Sequence, residues 1–174
     1  MTDDQIVDVI LKNEGGFTDN PNDHGGPTNF GITAADYGRW LKRDTPASAD
    51  EVRAMDRQVA RQIYKKWYLA DPGFDQITEE NLGALKLILA DSGVLFGVRR
   101  ATMWLQQELG IVDDGRFGPA TLQALHAYRE IDKLSRRVLG RRIQKIAEIV
   151  AANRSQATFL RGWINRAVSL LDYV

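Results

Sequence analysis

The helical repeat of apolar residues in the second half of the chain is the feature that most limits the fold. From Thr78 almost to the C-terminus, apolar residues recur every three or four positions, the spacing of one helix face. This spacing predicts helices over residues 79–90, 94–109, 119–127, 131–153 and 156–172. So few residues remain for strands that a mainly α-helical protein is expected.

The first part of the chain combines helices with one irregular stretch. Thr2-Asp-Asp-Gln5 has the form of a capping box, which predicts a helix over residues 3–13. Between Gly15 and Gly31, five glycines and two prolines remove any helical period. This stretch is therefore predicted to be a Gly-rich loop or a small β-hairpin.

Two short helices and a break complete the first part. Thr33 is expected to cap one helix, and Ser48 a second helix that continues to Trp67. Asp71-Pro72-Gly73 then interrupts the chain, but the interruption is short. We therefore expect one domain over residues 1–174 that consists of two packed lobes, residues 1–75 and 76–174.

Composition excludes several classes of catalytic chemistry. The chain has no cysteine, which excludes a disulfide framework, a thiol nucleophile and a Cys-ligated metal site. The two histidines, His24 and His126, lack metal-ligand spacing. A calcium loop beginning at Asp19 also fails, because Pro21 and Phe30 stand where oxygen ligands are required. We expect neither a metal nor a cofactor.

The N-terminus lacks the pattern of a secretory signal. Met1 is followed by Asp3, Asp4 and Asp8 rather than by a basic start and an apolar run. No segment approaches the ~18 uninterrupted apolar residues of a membrane span. We expect a soluble protein made in the cytoplasm, whose export depends on something outside this sequence.

A net charge of zero hides an uneven distribution of charge. Residues 1–100 hold 16 acidic and 12 basic residues, whereas residues 101–174 hold 7 acidic and 11 basic residues. The basic excess lies between Arg129 and Arg166, where a solvated helix face is one interpretation and attraction to an anionic wall or outer-membrane surface is the other. No motif that reads nucleic-acid bases accompanies it. We expect a monomer without a nucleic-acid partner.

Glu14 is the first candidate for catalysis. It ends the predicted first helix and opens the Gly-rich stretch, with Ile10 and Phe17 nearby in sequence. The negative end of the helix dipole and apolar neighbours both favour its protonated form. A protonated carboxyl can act as the general acid of a glycosidase, with Asp19 or Asp23 as the second carboxylate. The alternative is a solvated helix-end residue followed by turn-forming aspartates.

The run from Ile10 to Thr33, ILKNEGGFTDNPNDHGGPTNFGIT, strongly resembles the signature of glycoside hydrolase family 108. This family comprises the lysozyme-like N-acetylmuramidases of phage endolysins and bacterial prophage regions. The resemblance implies a lysozyme-like fold and makes Glu14, in the Glu-Gly-Gly triplet, the catalytic acid. Asn29 and Gly31, in the same run, are candidate sugar contacts, although a plain turn is the alternative for the glycine.

The spacing of Glu14, Asp23 and Thr28 also resembles the Glu, Asp, Thr triad of phage-type lysozymes, although Thr28 lies one residue closer. The resemblance gives Asp23 the role of activating a water molecule and Thr28 that of holding it. Inversion at the sugar would then be expected, with carboxyl groups ~6.5 to 9.5 Å apart rather than the ~5 Å of a retaining enzyme.

A second resemblance covers Ala101 to Leu125. Trp104-Leu-Gln-Gln-Glu-Leu-Gly110 and Asp114-Gly-Arg-Phe-Gly-Pro-Ala-Thr121 are similar to the peptidoglycan-binding segment that accompanies this family. A turn at Asp114 and a helix opening at Pro119 are the structural alternative. Three further residues in family-like segments, namely Asp91, Trp163 and Arg166, are candidate substrate contacts, although Leu95 replaces the usual Asn near Asp91.

These observations predict a muramidase that hydrolyses the β-1,4 bond between N-acetylmuramic acid and N-acetylglucosamine. The resemblance implies an endolysin that lyses the host cell and reaches the wall through holin-type pores. A lytic transglycosylase, which yields 1,6-anhydro products, is the alternative with the same substrate. A non-catalytic wall-binding or structural protein is the alternative from another class, and a secreted toxin would share the chemistry.

Overall fold

Helices account for most of the chain, and they divide between two units. The computed structural model describes residues 1–19 and 26–174. Residues Asp3–Trp67 form the N-terminal unit, and Met1–Thr2 with Tyr68–Val174 form the C-terminal unit. The mainly helical class is confirmed, as is a small hairpin near the N-terminus.

The N-terminal unit begins with the helix that the capping-box pattern predicts. Its elements are α1 (Asp3–Asn13), β1 (Thr28–Asn29), β2 (Ile32–Thr33), α2 (Ala34–Trp40), α3 (Ala49–Arg53) and α4 (Arg57–Lys65). The strands pair antiparallel, with Thr28 opposite Thr33 and Asn29 opposite Ile32. Thr33 and Ser48 cap α2 and α3 through their side chains, as predicted.

Helices α1 and α4 pack against each other and support the rest of this unit. Both present apolar side chains that are almost completely buried, including Ile6 and Ile10 on α1 and Ile63 on α4. Arg61 on α4 pairs with Asp4 on α1 at 2.5 Å, and it also pairs with Asp8. Apolar packing and the salt bridges of Arg61 together fix the position of α1 against α4.

The C-terminal unit is built around one buried helix. Its helices are α5 (Gly83–Phe96), α6 (Val98–Leu109), α7 (Pro119–Ala127), α8 (Ile131–Ala152) and α9 (Ala157–Ser169). A π-helical turn (Lys66–Ala70) and two 3-10 turns (Phe74–Gln76, Glu80–Leu82) precede α5. Two further 3-10 turns, Arg154–Gln156 and Leu170–Tyr173, flank α9. Every residue of α5 from Leu85 to Gly93 is buried, because α6 and α8 pack on this helix. Helix α8 also packs on α9.

Two predicted helix boundaries are wrong. The helix expected from Ser48 to Trp67 is interrupted after Arg53, because the Asp56 side chain accepts a hydrogen bond from the Gln58 amide and starts a new helix. The break expected after residue 90 lies instead at Gly97, whose φ of 86° suits glycine. Of the helices in the described residues, none is both long and apolar enough to cross a membrane.

Candidate active site

Glu14 follows directly on the last residue of α1 and is partly buried. The buried residues of α1 hold this helix in place, so the carboxyl group is carried on a fixed support. The partial negative charge of a helix C-terminus lies next to it, as the sequence predicts. The position therefore suits a carboxyl group that must be presented in one orientation.

The turn of the β1–β2 hairpin lies against the Glu14 carboxyl group. Phe30 and Gly31 connect the strands with φ of 51° and 72°, the two positive values of a type I′ turn. A Cβ atom on Gly31 would lie 2.5 Å from Glu14 Oε2, closer than van der Waals contact allows. Gly31 is exposed, so its missing side chain leaves the surface beside the carboxyl group uncovered. Glycine is thus required here by both conformation and space.

Tyr64 on α4 fixes this turn from the other side. Its hydroxyl group donates a hydrogen bond to the Phe30 carbonyl oxygen at 2.9 Å. The same hydroxyl oxygen would lie 2.7 Å from a Cβ on Gly31, so Glu14 and Tyr64 both border the same glycine. The ring is almost completely buried, which leaves the hydroxyl group as its polar contact with the hairpin.

The other hairpin candidates have structural contacts of their own. The Asn29 side chain is 5% exposed and donates to the carbonyl oxygens of Val52 and Arg53, at 3.0 and 3.4 Å. The Thr28 hydroxyl group donates to the Gly26 carbonyl oxygen at 3.1 Å, and the Thr28 backbone pairs with Thr18. The two Asn29 bonds fix β1 beside α3. Sugar contact by Asn29 and water positioning by Thr28 stay predictions.

Asp23, the predicted water activator, lies outside the described residues. Its role stays a prediction, as does the inverting outcome that depends on its distance from Glu14. Within the described residues, no group of three or more His, Asp or Glu side chains is arranged to hold a metal ion.

Asp91 and Arg166, predicted as substrate contacts, are brought together in the C-terminal unit. Asp91 on α5 is fully buried and bonds to Arg142 Nη1 at 2.6 Å, and Arg166 Nη2 and Nε donate to it at 2.8 and 2.9 Å. Arg142 is itself fully buried. Burial lowers the pKa of the Arg142 guanidinium, and the charge of Asp91 opposes that shift. The geometry gives Asp91 the role of linking α5 to α8 and α9.

Trp163 lies on α9, one turn before Arg166, and is partly buried. Its ring packs beside Phe159, with ring centroids 5.7 Å apart, and Phe159 is 53% exposed. An aromatic pair with one exposed face can stack on a sugar ring, but it can equally cover a helix surface. Substrate contact by Trp163 stays a prediction.

Comparisons with known proteins agree with the resemblance seen in the sequence. Residues 7–97 match the family described as Glycosyl hydrolase 108, and residues 100–168 match one described as Predicted Peptidoglycan domain. The first match spans half of the chain and includes Glu14 and the hairpin. The chain belongs to the glycosyl hydrolase 108 family.

The structure of SagA from Brucella abortus is similar to that of this glycosyl hydrolase 108 chain. The TM-score is 0.79 at 26% sequence identity, over 98% of this chain and 92% of SagA. A search of curated proteins finds no significant match. The lysozyme-like fold expected from the sequence is confirmed. Family membership and the second match support a muramidase-like role in peptidoglycan degradation.

In this family member, polar side chains of the second motif, Trp104 to Thr121, form hydrogen bonds with one another and with the backbone. Gln106 is 2% exposed, and its Nε2 donates to Asp114 Oδ1 at 2.9 Å and to the Thr121 hydroxyl group at 3.0 Å. Its Oε1 accepts a hydrogen bond from the Gly115 amide at 2.8 Å. These contacts favour the structural interpretation of the Leu-Gln and Asp-Gly-x-x-Gly-Pro-x-Thr pattern, in which it folds the α6–α7 connection.

Sequence reasoning missed the contribution of Tyr64. An aromatic residue in a helix such as α4 is typical of a buried core position or of a ring that stacks on a sugar. Neither interpretation includes a hydroxyl group directed at a hairpin that is 34 positions away in the sequence. The Gly-rich stretch predicted the hairpin itself, but no local pattern connects its turn with Tyr64.

Proposed function

We propose that this glycosyl hydrolase 108 protein hydrolyses the β-1,4 bond between N-acetylmuramic acid and N-acetylglucosamine in peptidoglycan. The observation that carries the proposal is the Glu14 carboxyl group at the end of α1, against an exposed glycine turn that requires the absence of a side chain. A glycan strand needs such an uncovered approach to an acid. Bulky neighbours would block it.

The reaction assigned to these residues is acid–base hydrolysis. Glu14 donates its proton to the glycosidic oxygen, which leaves as the 4-hydroxyl group of N-acetylglucosamine when its bond to muramic acid C1 breaks. A water molecule held by Thr28 forms the new bond to C1 and gives a proton to the Asp23 carboxylate. The proton then returns from Asp23 to Glu14 through solvent. Candidate sugar contacts remain Asn29, Gly31, Trp163 and Arg166, whereas the fully buried Asp91 is assigned to packing.

The biological setting we propose is lysis of a bacterial host by a phage or prophage endolysin. The enzyme would be made in the cytoplasm and reach the wall through a holin-type pore, and the family resemblance is the support for this setting. Production in a bacterial cell with and without a co-expressed holin tests it. Lysis that needs both proteins supports the proposal, whereas activity on the producing cell without a pore contradicts it.

The decisive experiment on the reaction is mass spectrometry of the muropeptides released from purified peptidoglycan. The wild type should release fragments that end in reducing N-acetylmuramic acid. Glu14→Gln, which keeps the shape but lacks the acidic proton, should lose activity by about 10²- to 10⁴-fold. Exposed Glu80→Gln is the matched control and should keep full activity.

Three results would contradict the proposal. Ends of the 1,6-anhydro type would indicate a lytic transglycosylase. Unchanged activity of Glu14→Gln at equal folding stability would remove Glu14 from the acid role. Binding to the wall without any released fragment from the wild type would indicate a wall-binding protein.

A further inference from the structure

A positively charged groove runs along α8 in the C-terminal unit. It has a volume of 610 Å³, and we call it the basic groove; its lining includes Lys133, Arg136, Arg137, Arg141, Gly140 and Glu108. Four of these side chains are cationic and one is anionic. None of the described lining residues is aromatic, so the groove lacks the flat apolar surface on which a neutral sugar ring stacks.

Glu108 on α6 orients two of the guanidinium groups. Its side chain is only 10% exposed, and it accepts a hydrogen bond from Arg141 Nε at 2.6 Å and pairs with Arg137 Nε at 3.6 Å. Each guanidinium carries five N–H donors, and these contacts engage only the Nε side of each group. Arg137 and Arg141 are 55% and 41% exposed, so their outer donors are accessible.

The other two cations are not bonded to Glu108. Lys133 pairs with Glu130 at 2.9 Å in an exposed contact, and Arg136 donates to the Val174 carbonyl oxygen at 3.5 Å. Even with Glu130 and Glu108 counted, positive charge exceeds negative charge along the groove. An anion is therefore the ligand that the groove favours.

Gly140 lies in the middle of this surface and has no packing reason to be glycine. A Cβ atom at this position would meet nothing within 4 Å. Glycine is among the least favourable residues in the interior of a helix, and α8 extends well beyond it in both directions. A side chain at this position would enter the groove between the cations. The glycine thus keeps the groove open at a cost to the helix.

The chemistry of peptidoglycan supplies an anion of the right kind. Its sugars carry hydroxyl and N-acetyl groups and are neutral, whereas its stem peptides carry carboxylates. A guanidinium fork matches a carboxylate with two parallel hydrogen bonds. All the lining residues named above lie within the segment that matches the Predicted Peptidoglycan domain, residues 100–168.

We infer that the basic groove binds the carboxylates of peptidoglycan stem peptides. The protein would then hold the wall through its charged peptides as well as through the glycan that it cuts. The inference rests on the proposed function only in taking peptidoglycan as the substrate. It requires neither Glu14 as the acid nor any particular product.

The test is co-sedimentation with purified sacculi on ice in the Glu14→Gln background, with released fragments measured in the supernatant so that digestion is excluded directly. One set of sacculi is untreated, and in the other the carboxylates are converted to amides with a carbodiimide and ammonia. Binding to untreated sacculi should be about tenfold tighter, because charge-assisted hydrogen bonds are lost in the amidated set. The difference should shrink as salt concentration rises.

Two variants locate the binding in the groove. Lys133→Gln with Arg136→Gln removes two charges without disturbing Glu108, and Gly140→Leu fills the groove without a charge change. Each should weaken binding to untreated sacculi about tenfold and leave binding to amidated sacculi unchanged. Arg129→Gln with Lys145→Gln is the matched control, since it removes two charges outside the lining, and it should bind within about twofold of the parent. Thermal denaturation checks that all variants are folded.

Equal binding to the two sets of sacculi, or a control as weak as the groove variants, overturns the inference. Groove-dependent binding to phosphatidylglycerol vesicles, with no dependence on sacculus carboxylates, also overturns it and would indicate an anionic lipid surface. Release of muropeptides by the wild type is measured separately. If the wild type releases no muropeptides but binding still depends on the basic groove, the proposed function is rejected and the inference about the groove stands.

Discussion

Glu14 and Asp91 are both carboxylates within the segment that matches the glycosyl hydrolase 108 family, but the fold treats them in opposite ways. Asp91 is completely buried and bonded to Arg142 and Arg166. Glu14 is partly exposed beside the turn at Gly31. A carboxylate sealed by two guanidinium groups stabilises packing, whereas one beside an uncovered surface can meet a substrate. The difference separates the structural role of Asp91 from the catalytic role proposed for Glu14 within a single family match.

The largest expected effect on stability comes from removing the buried negative charge of Asp91. Asp91→Asn leaves Arg142 buried without its counter-charge, and removing one partner of a buried ion pair costs about 3–5 kcal/mol. Urea denaturation should report this loss in the free energy of unfolding. Glu14→Gln should change the same quantity by no more than about 0.5 kcal/mol.

Arg166→Gln tests how much of the stability at Asp91 depends on its second, less buried partner. Arg166 is 11% exposed, so water can partly replace its bond to Asp91, and the loss should be smaller than for Asp91→Asn. If Asp91→Asn were as stable as the wild type, the structural role of Asp91 would be wrong.

The second prediction concerns the uncovered surface at Glu14. Gly31→Ala should reduce muropeptide release more than tenfold, because the new Cβ atom displaces the Glu14 carboxyl group by steric overlap, and small displacements of catalytic groups cost up to about 10²-fold. It should also lower the free energy of unfolding by about 1–2 kcal/mol through strain at positive φ.

Gly110→Ala is the matched control for that substitution. Gly110 has nearly the same φ, 70° against 72°, but a Cβ atom there would meet nothing within 4 Å. It should lose a similar amount of stability and keep its activity. Equal activity losses in the two variants would show that backbone strain, not contact with Glu14, explains the effect.

A smaller effect is expected at Tyr64. Tyr64→Phe removes the hydrogen bond to the Phe30 carbonyl oxygen and should cost about 0.5–1.5 kcal/mol in the free energy of unfolding. Because the turn beside Glu14 is then less firmly held, kcat should fall several-fold with little change in KM. Tyr37→Phe is the control, since Tyr37 packs against Ala34, Ala47 and Val52. A fall in kcat as large for Tyr37→Phe would contradict a specific role for Tyr64.

Local patterns in the sequence predicted the elements but not their long-range contacts. The capping box and apolar spacing predicted α1 at its observed bounds, residues 3–13, because both signals act within a few positions. The break near residue 91 was predicted wrongly, because Asp91 and Gly93 look like a helix end in isolation. In the fold, α5 continues through Asp91, whose side chain pairs with Arg142, 51 positions away.

The candidate site shows the same limit. The motif identified Glu14 and the hairpin as neighbours in sequence, and the structure brings Gly31 against the carboxyl group. Asn29 stands in the same motif, but its amide group is directed at α3. Spacing along the chain cannot distinguish these two orientations, because Asn29 lies in a strand and Gly31 in the turn. Tertiary packing decides which face of the strand is covered.

The smallest expected effect belongs to a third carboxylate, Glu51, which is neither sealed nor catalytic. Hydrogen bonding from the Ser48 amide, with further contributions from Arg43 and the Ser48 hydroxyl group, lowers its pKa from 4.5 to about 2. A carboxyl group whose pKa is lowered by folding stabilises the folded state at pH values above its pKa in the unfolded chain. That contribution is lost as the pH falls from about 4.5 to about 2.

Glu51→Gln retains the capping geometry, since glutamine can also complete a capping box, and removes only the charge. Urea midpoints of the wild type and the variant should differ above pH 5 and converge as the pH approaches about 2. A gap of constant size across this range would contradict the pKa shift. A gap comparable with that of Asp91→Asn would show that an exposed carboxylate can matter as much as a sealed one, and burial would then not explain the contrast between Asp91 and Glu14.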